Sequence, residues 1–116
     1  MTDKVIAMVT CASEKEARRI ARVLVERRLA ACVNFFSVPV HSIYCWKGKV
    51  ESVKEFLLMI KSSRKRFRAV AAEVRRLHSY DVPEIIALPI ARGSANYLDW
   101  IAESVSESGA RKRKRH

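Results

Sequence analysis

An imidazole, a phenol and two carboxylates fall within seven residues of the stretch Leu77-His78-Ser79-Tyr80-Asp81-Val82-Pro83-Glu84-Ile85-Ile86. His78 is a borderline nitrogen donor suited to copper or zinc, and Glu84 is a harder oxygen donor. One histidine and one carboxylate six residues apart hold a metal weakly unless a third group joins them. In an assembly a neighbouring chain can supply it. The same imidazole can instead cap the helix that ends at Leu77, where a cation complements the helix dipole. Pro83 bars that helix from continuing and biases Val82 toward extended geometry. The polar groups therefore sit on a short, constrained connector between rigid elements, where binding residues tend to gather.

Other chemistry is thinner. Cys11, Cys32 and Cys45 make an odd count without CxxC spacing, which excludes a disulfide framework and a structural zinc site. Each reads first as a small buried hydrophobe. Glu51, Glu55 and Lys61 share one strand face by their even spacing. Glu51 and Glu55 stand about 13 Å apart at strand rise, too far for glycosidase-type chemistry. Glu55 and Lys61, at about 20 Å, cannot pair within one chain. They suit charges on a second subunit. Tyr44, Trp46 and Tyr80 have the large area and polar tip favoured at subunit contacts. No serine–histidine–aspartate pattern, phosphate-cradling glycine loop or HExxH helix is present.

The elements that must carry these residues follow from periodicity. A short apolar run at 5–9 reads as a buried strand. Ser13-Glu14-Lys15-Glu16 is a capping box, with the Ser13 hydroxyl on a backbone N–H and Glu16 reaching back. Ala17, Ile20, Ala21 and Leu24 then mark one helical face, with Arg18, Arg19, Arg22 and Arg27 off it. Residues 32–36 and 40–46 are rich in β-branched and aromatic types, with a bulge or bend at Pro39. Lys47-Gly48-Lys49 is a turn, and 50–60 returns as a strand. Two strands of about ten residues each span roughly 33 Å, more than a small domain can cover. Their overhang must pair with another chain, which is the hint of an oligomer. A second helix over 63–77 has Phe67, Val70, Ala71, Val74 and Leu77 as its core stripe. The run 85–90, with Pro89 near its end, suits an edge strand. Gly93-Ser94 opens a last helix that buries Tyr97, Leu98, Ile101, Ala102 and Val105. The order β-α-β-β-α-β plus a helix is the α+β, ferredoxin-like arrangement, an antiparallel sheet with two helices on one face.

Length and composition bound the rest. At 116 residues and 49% hydrophobic the chain is one domain with one core. Residues 1–108 are that domain, and 109–116 form a basic tail expected to be disordered. Net charge is +11; without the five basic residues at 111–115, 18 basic residues face 12 acidic ones. The tail can attract nucleic acid or another anionic surface non-specifically, or simply solubilise the chain. Sequence-specific RNA binding is disfavoured, because 5–10 carries no base-stacking aromatic and 53–60 only Phe56. No run of about 18 apolar residues exists for a membrane span. The N-terminus lacks the pattern of a signal peptide, so a cytoplasmic setting is expected.

With these elements placed, several motifs converge. They are Ala30-Ala31-Cys32-Val33-Asn34, the run from Ser42 through Glu51 at the hairpin tip, the strand from Glu55 to Lys61, His78 through Ile85, and Tyr97-Leu98-Asp99-Trp100-Ile101. In register over roughly residues 4–105, they resemble the CutA divalent-cation tolerance family. The resemblance implies a homotrimer of ferredoxin-like subunits whose long hairpins add strands to neighbouring sheets. It also implies a non-enzymatic role in divalent-metal tolerance, with copper the chief metal. The family is similar in architecture to the trimeric PII signalling proteins, so the alternative is a sensing module that binds a small molecule or protein in inter-subunit clefts. His78 and Glu84 match metal-binding positions of the motif. The cysteine of some members aligns at Val9; Cys11 lies two residues on, on the same strand face if the strand extends that far. Ser79 replaces the usual proline, which is expected to loosen the turn.

Overall fold

The computed structural model describes residues 1–107; the basic tail at 109–116 lies outside the described residues. The elements are β1 (Lys4–Cys11), α1 (Glu14–Glu26), β2 (Cys32–Phe35), β3 (Val40–Trp46), β4 (Lys49–Ser63), α2 (Phe67–Leu77), β5 (Ile85–Pro89) and α3 (Ala95–Ser104). Strand order is β2-β4-β1-β5, with β3 also paired to β4, and every pairing is antiparallel. Two split β-α-β units therefore interlock, and the ferredoxin-like expectation holds. β5 lies at the edge, where Pro89 costs no ladder bond.

The sheet has five strands because the second one is broken. Phe35 pairs with Leu58 and Phe36 still donates its N–H to Leu57 O at 3.2 Å, but Val40 pairs with Glu55, so Ser37 to Pro39 bulge out of the ladder. The expected strand 32–36 thus ends one residue early, at the bulge placed at Pro39. Lys47 and Gly48 both have positive φ, 52° and 81°, forming the two-residue turn whose twist suits a hairpin.

β4 runs further than the expected 50–60. Fifteen residues extend roughly 50 Å, and the molecule measures 48 Å along one axis against 26 and 25 Å along the others. Its second half pairs with both β1 and β2. Residues 49–55 pair only with β3 and have no strand on their other edge among the described residues.

The main core lies between one sheet face and two helices. Ala7, Val9, Cys11, Leu58 and Ile60 meet Ala17, Ile20 and Leu24 of α1 and Val70, Val74 and Leu77 of α2. Glu73 of α2 reaches Arg27 at the end of α1 at 3.0 Å, which ties the helices together, and also pairs with Arg76 of its own helix at 2.6 Å. α3 packs Ile101 and Val105 on Ala31. Ala102, expected on that buried face, is exposed. α2 begins at Phe67 rather than 63, because Ser63 still belongs to β4 and then accepts the Arg66 N–H in a turn. The opposite sheet face carries Met8, Leu57, Met59, Ile86 and Leu88, which join neither core cluster. Ile86 and Leu88 are half exposed.

Candidate functional site

β1 extends to Cys11, two residues beyond the expected strand, so Cys11 keeps the core face of Val9. α1 starts just beyond it, and α2 ends against it. Three elements thereby bring Cys11, Glu16 and His78 together, with one ligand atom of each within 4.8 Å of the others. This sulfur, carboxylate and imidazole set suits zinc or copper. Glu16 belonged to no expected site, since its spacing explained it fully as a capping residue. Glu84, expected beside His78, lies outside this group.

Two of the three donors are already engaged. His78 is buried at the C-cap of α2; its backbone N–H donates to Val74 O at 2.9 Å. Its Nδ1 accepts the Tyr80 N–H at 3.0 Å, which leaves Nε2 to donate to Thr10 O at 2.7 Å. The ring is thus neutral in this arrangement. It joins α2 to β1 by hydrogen bonding, in place of the imidazolium-to-dipole contact considered above. Ser13 accepts the Glu16 N–H at 3.1 Å as expected. Glu16, however, turns to the Ala12 N–H at 3.1 Å and the Ser79 N–H at 2.7 Å. Burial pushes the Glu16 carboxyl up, but hydrogen bonds from Ser79 and Ala12 outweigh it, and the net displacement is downward. Burial, then the nearby Glu16 and Glu55 charges, push the Cys11 thiol up to about 12.

Ser79 reverses an expectation. A proline there has no N–H to give. The serine gives Glu16 a short hydrogen bond, so the turn is fastened to α1 rather than loosened.

A second locality lies on the other side of the connector. Thr10, Ser42, Tyr44, Trp46, Glu55, Tyr80 and the 81–84 segment line a cleft of about 690 Å³. The buried Glu55 accepts the Tyr80 hydroxyl at 2.9 Å, a bond within one chain that no sequence pattern announces. Burial and the Glu55 carboxylate raise the Tyr80 phenol well above its usual range. Glu84 and Asp81 stand on this cleft. Glu51 is half-buried opposite Tyr44 in the ladder. Lys61 lies in the β2–β4 region and hydrogen-bonds Asn34 of its own chain.

Topology and these two localities define a small split β-α-β binding domain with a protruding hairpin. The family model for the CutA1 divalent ion tolerance protein matches residues 5–104. The divalent-cation tolerance protein CutA of Archaeoglobus fulgidus is 46% identical over 97 residues, 84% of this chain and 93% of that one. Protein CutA of Mus musculus is 50% identical across 89% of this chain, which spans 59% of the mouse protein. The solved structure of the Thermus thermophilus divalent cation tolerance protein superposes with a TM-score of 0.86 at 46% identity, covering 89% of this chain and 99% of that one. The chain belongs to the CutA1 divalent ion tolerance family.

Proposed function

We propose that the chain is a non-enzymatic, homotrimeric divalent-cation-binding protein of metal tolerance. Copper is the best-suited ion, held by His78 with Cys11 and Glu16. The convergence of these donors within 4.8 Å carries the reading. A bound divalent ion favours the thiolate and accepts a neutral imidazole, so it would compete with the Tyr80 N–H for Nδ1 and with a proton on Cys11. Binding is accordingly modest and strengthens as pH rises. A thiol held protonated near neutrality is a poor nucleophile and, until a metal displaces its proton, an equally poor ligand. The half-exposed Ile86 and Leu88 and the open edge of residues 49–55 support assembly with sister chains. The free thiols of Cys32 and the exposed Cys45 favour a reducing, cytoplasmic setting. The Archaeoglobus fulgidus structure at 44% identity is described as periplasmic, and cell fractionation discriminates the two locations.

Calorimetric titration of Cu(II) into the metal-free protein and a His78→Ala variant tests the site. We expect a loss of about tenfold or more in the variant. Equal affinity in both removes His78 from the site. Sedimentation in the same buffer should give close to three chain masses, and a monomer refutes the assembly.

A second reading, a sensing module of the PII kind, is favoured by the cleft under the hairpin. Thermal stabilisation of the metal-free protein by a small metabolite would support it.

A further inference from the structure

On the two outer helices every acid has a partner, and several cations have none. Glu14 holds Arg18 at 3.0 Å and Glu26 holds Arg22 at 3.3 Å. Glu73 holds Arg27 and Arg76, and Glu16 accepts the Ala12 and Ser79 N–H groups. Lys15, Arg19, Arg68 and Arg75 are exposed and stand in no ion pair among the described residues. Their uncompensated charge raises the positive potential over the surface they share.

That surface is continuous. α1 and α2 lie antiparallel: Glu16 near the start of α1 reaches Ser79 past the end of α2, and Arg66 before α2 reaches the Arg28 carbonyl past α1 at 3.3 Å. Lys15, Arg18, Arg19 and Arg22 are three or four residues apart, so they adjoin on the side of α1 away from buried Ala17, Ile20 and Leu24. Arg68, Arg75 and Arg76 surround exposed Ala72 in the same way on α2. The apolar sheet face that supports assembly lies on the other side of the sheet, so sister chains there leave these cations uncovered. Glu107 pairs with Arg66 at 3.1 Å, and four further residues reach at most about 14 Å, so the five basic residues at 111–115 start close to the same layer.

What the face lacks narrows its partner. Neither helix contains Ser, Thr, Asn or Gln to read adenine edges or ribose hydroxyls. α1 has no aromatic residue and Phe67 of α2 packs on the core, so no ring is offered for stacking unpaired bases. Val25 is the one large apolar side chain exposed on either helix, too little to anchor in a bilayer. What remains is a sequence-blind attraction to closely spaced phosphates. The 13 residues of α1 extend about 20 Å, roughly six phosphate steps along one duplex strand.

We propose that the outer face of α1 and α2, continued by the basic tail, docks on the phosphate backbone of double-stranded DNA without reading its sequence. This goes beyond the metal-binding reading and does not depend on it.

The test is fluorescence anisotropy of a labelled DNA duplex of about 20 base pairs titrated with the full chain in EDTA, over a series of salt concentrations. We expect a Kd of about 1–100 μM at near-physiological salt and a slope of log affinity against log salt near about −4, the same for two unrelated sequences. Arg19→Gln/Arg68→Gln/Arg75→Gln breaks no ion pair; it should bind about tenfold more weakly, with a slope shallower by about 2–3. Lys47→Gln/Lys49→Gln/Lys54→Gln removes the same charge from the exposed hairpin and should bind within about twofold of the wild type. Equal losses in the two triple variants would reduce the effect to net charge and overturn the proposal. So would full binding by the helix variant, which would leave the tail as the sole contact, or tighter binding of a single strand than of the duplex. Binding to phosphatidylserine vesicles with none to the duplex overturns it in favour of a membrane surface.

Discussion

The two sides of the 78–84 connector hold similar chemistry in opposite states. On one side, next to Cys11, Glu16 and His78 form a closed network in which both Glu16 oxygens and both His78 ring nitrogens have partners. On the other, the buried Glu55 side chain has, among the described residues, one hydrogen bond, from the Tyr80 hydroxyl, and no ion pair. A satisfied network rigidifies a fold, and a ligand must displace its bonds to enter. A carboxylate with one partner keeps acceptor capacity that an incoming group can use without breaking a bond. The closed corner should thus matter most to stability, and the open cleft most to binding.

The largest effect separating them is on the alkaline side. The Cys11 pKa rises in the folded state, from 9.0 to about 12. Between those values the unfolded chain releases its proton while the folded one keeps it, so stability falls as pH rises from about 9. The loss is on the order of 1 kcal/mol per pH unit. Urea denaturation across pH 8–10 should show that slope in the wild type and a flatter one in Cys11→Ala, despite the variant's lower stability from its cavity. Parallel slopes would show that Cys11 sits in a wetter corner than the structure describes.

Two isosteric changes come next and should have opposite signs. Glu16→Gln keeps one acceptor but turns an amide toward a backbone N–H, so about 1 kcal/mol is lost at neutral pH. Glu55→Gln keeps the Tyr80 bond and removes a buried charge, so the ligand-free protein is unchanged or gains up to about 1 kcal/mol. Acid sharpens the contrast. The Glu16 pKa lies below its ordinary 4.5 in the fold, so its contribution is present above 4.5 and is lost as pH falls through the lowered value. Glu16→Gln should therefore show a shallower acid limb than the wild type. A destabilised Glu55→Gln would mean that the carboxylate has a partner inside the fold.

Periodicity and turn chemistry carried the fold: the 3–4 spacing in α1, the glycine turn at Gly48 and the bulge at Pro39 all stand where local rules put them. Boundaries drifted where tertiary contacts extended a strand, as at Cys11 and Ser63. The site was legible only in pieces. His78 and Cys11 could be named from their types and the family motif. Glu16 could not, because a helix-capping role accounted for it and its second partner, Ser79, lies 63 residues away. The Tyr80–Glu55 bond joins a connector to a strand, and strand geometry alone gave Glu55 no partner in its own chain.

Ser79 offers the smallest perturbation and the finest discrimination. Ser79→Pro deletes the N–H that holds one Glu16 oxygen and leaves the Ala12 bond in place. The lost hydrogen bond is offset in part by the stiffer unfolded chain, so stability should change by no more than about 0.5–1 kcal/mol. Cu(II) affinity should instead rise severalfold, because a carboxylate oxygen beside His78 and Cys11 is released from its backbone partner. If calorimetry gives the same Cu(II) affinity in Ser79→Pro as in the wild type, Glu16 is not a ligand. The network around it is then closed for structural reasons alone, and any metal at His78 must draw on other donors.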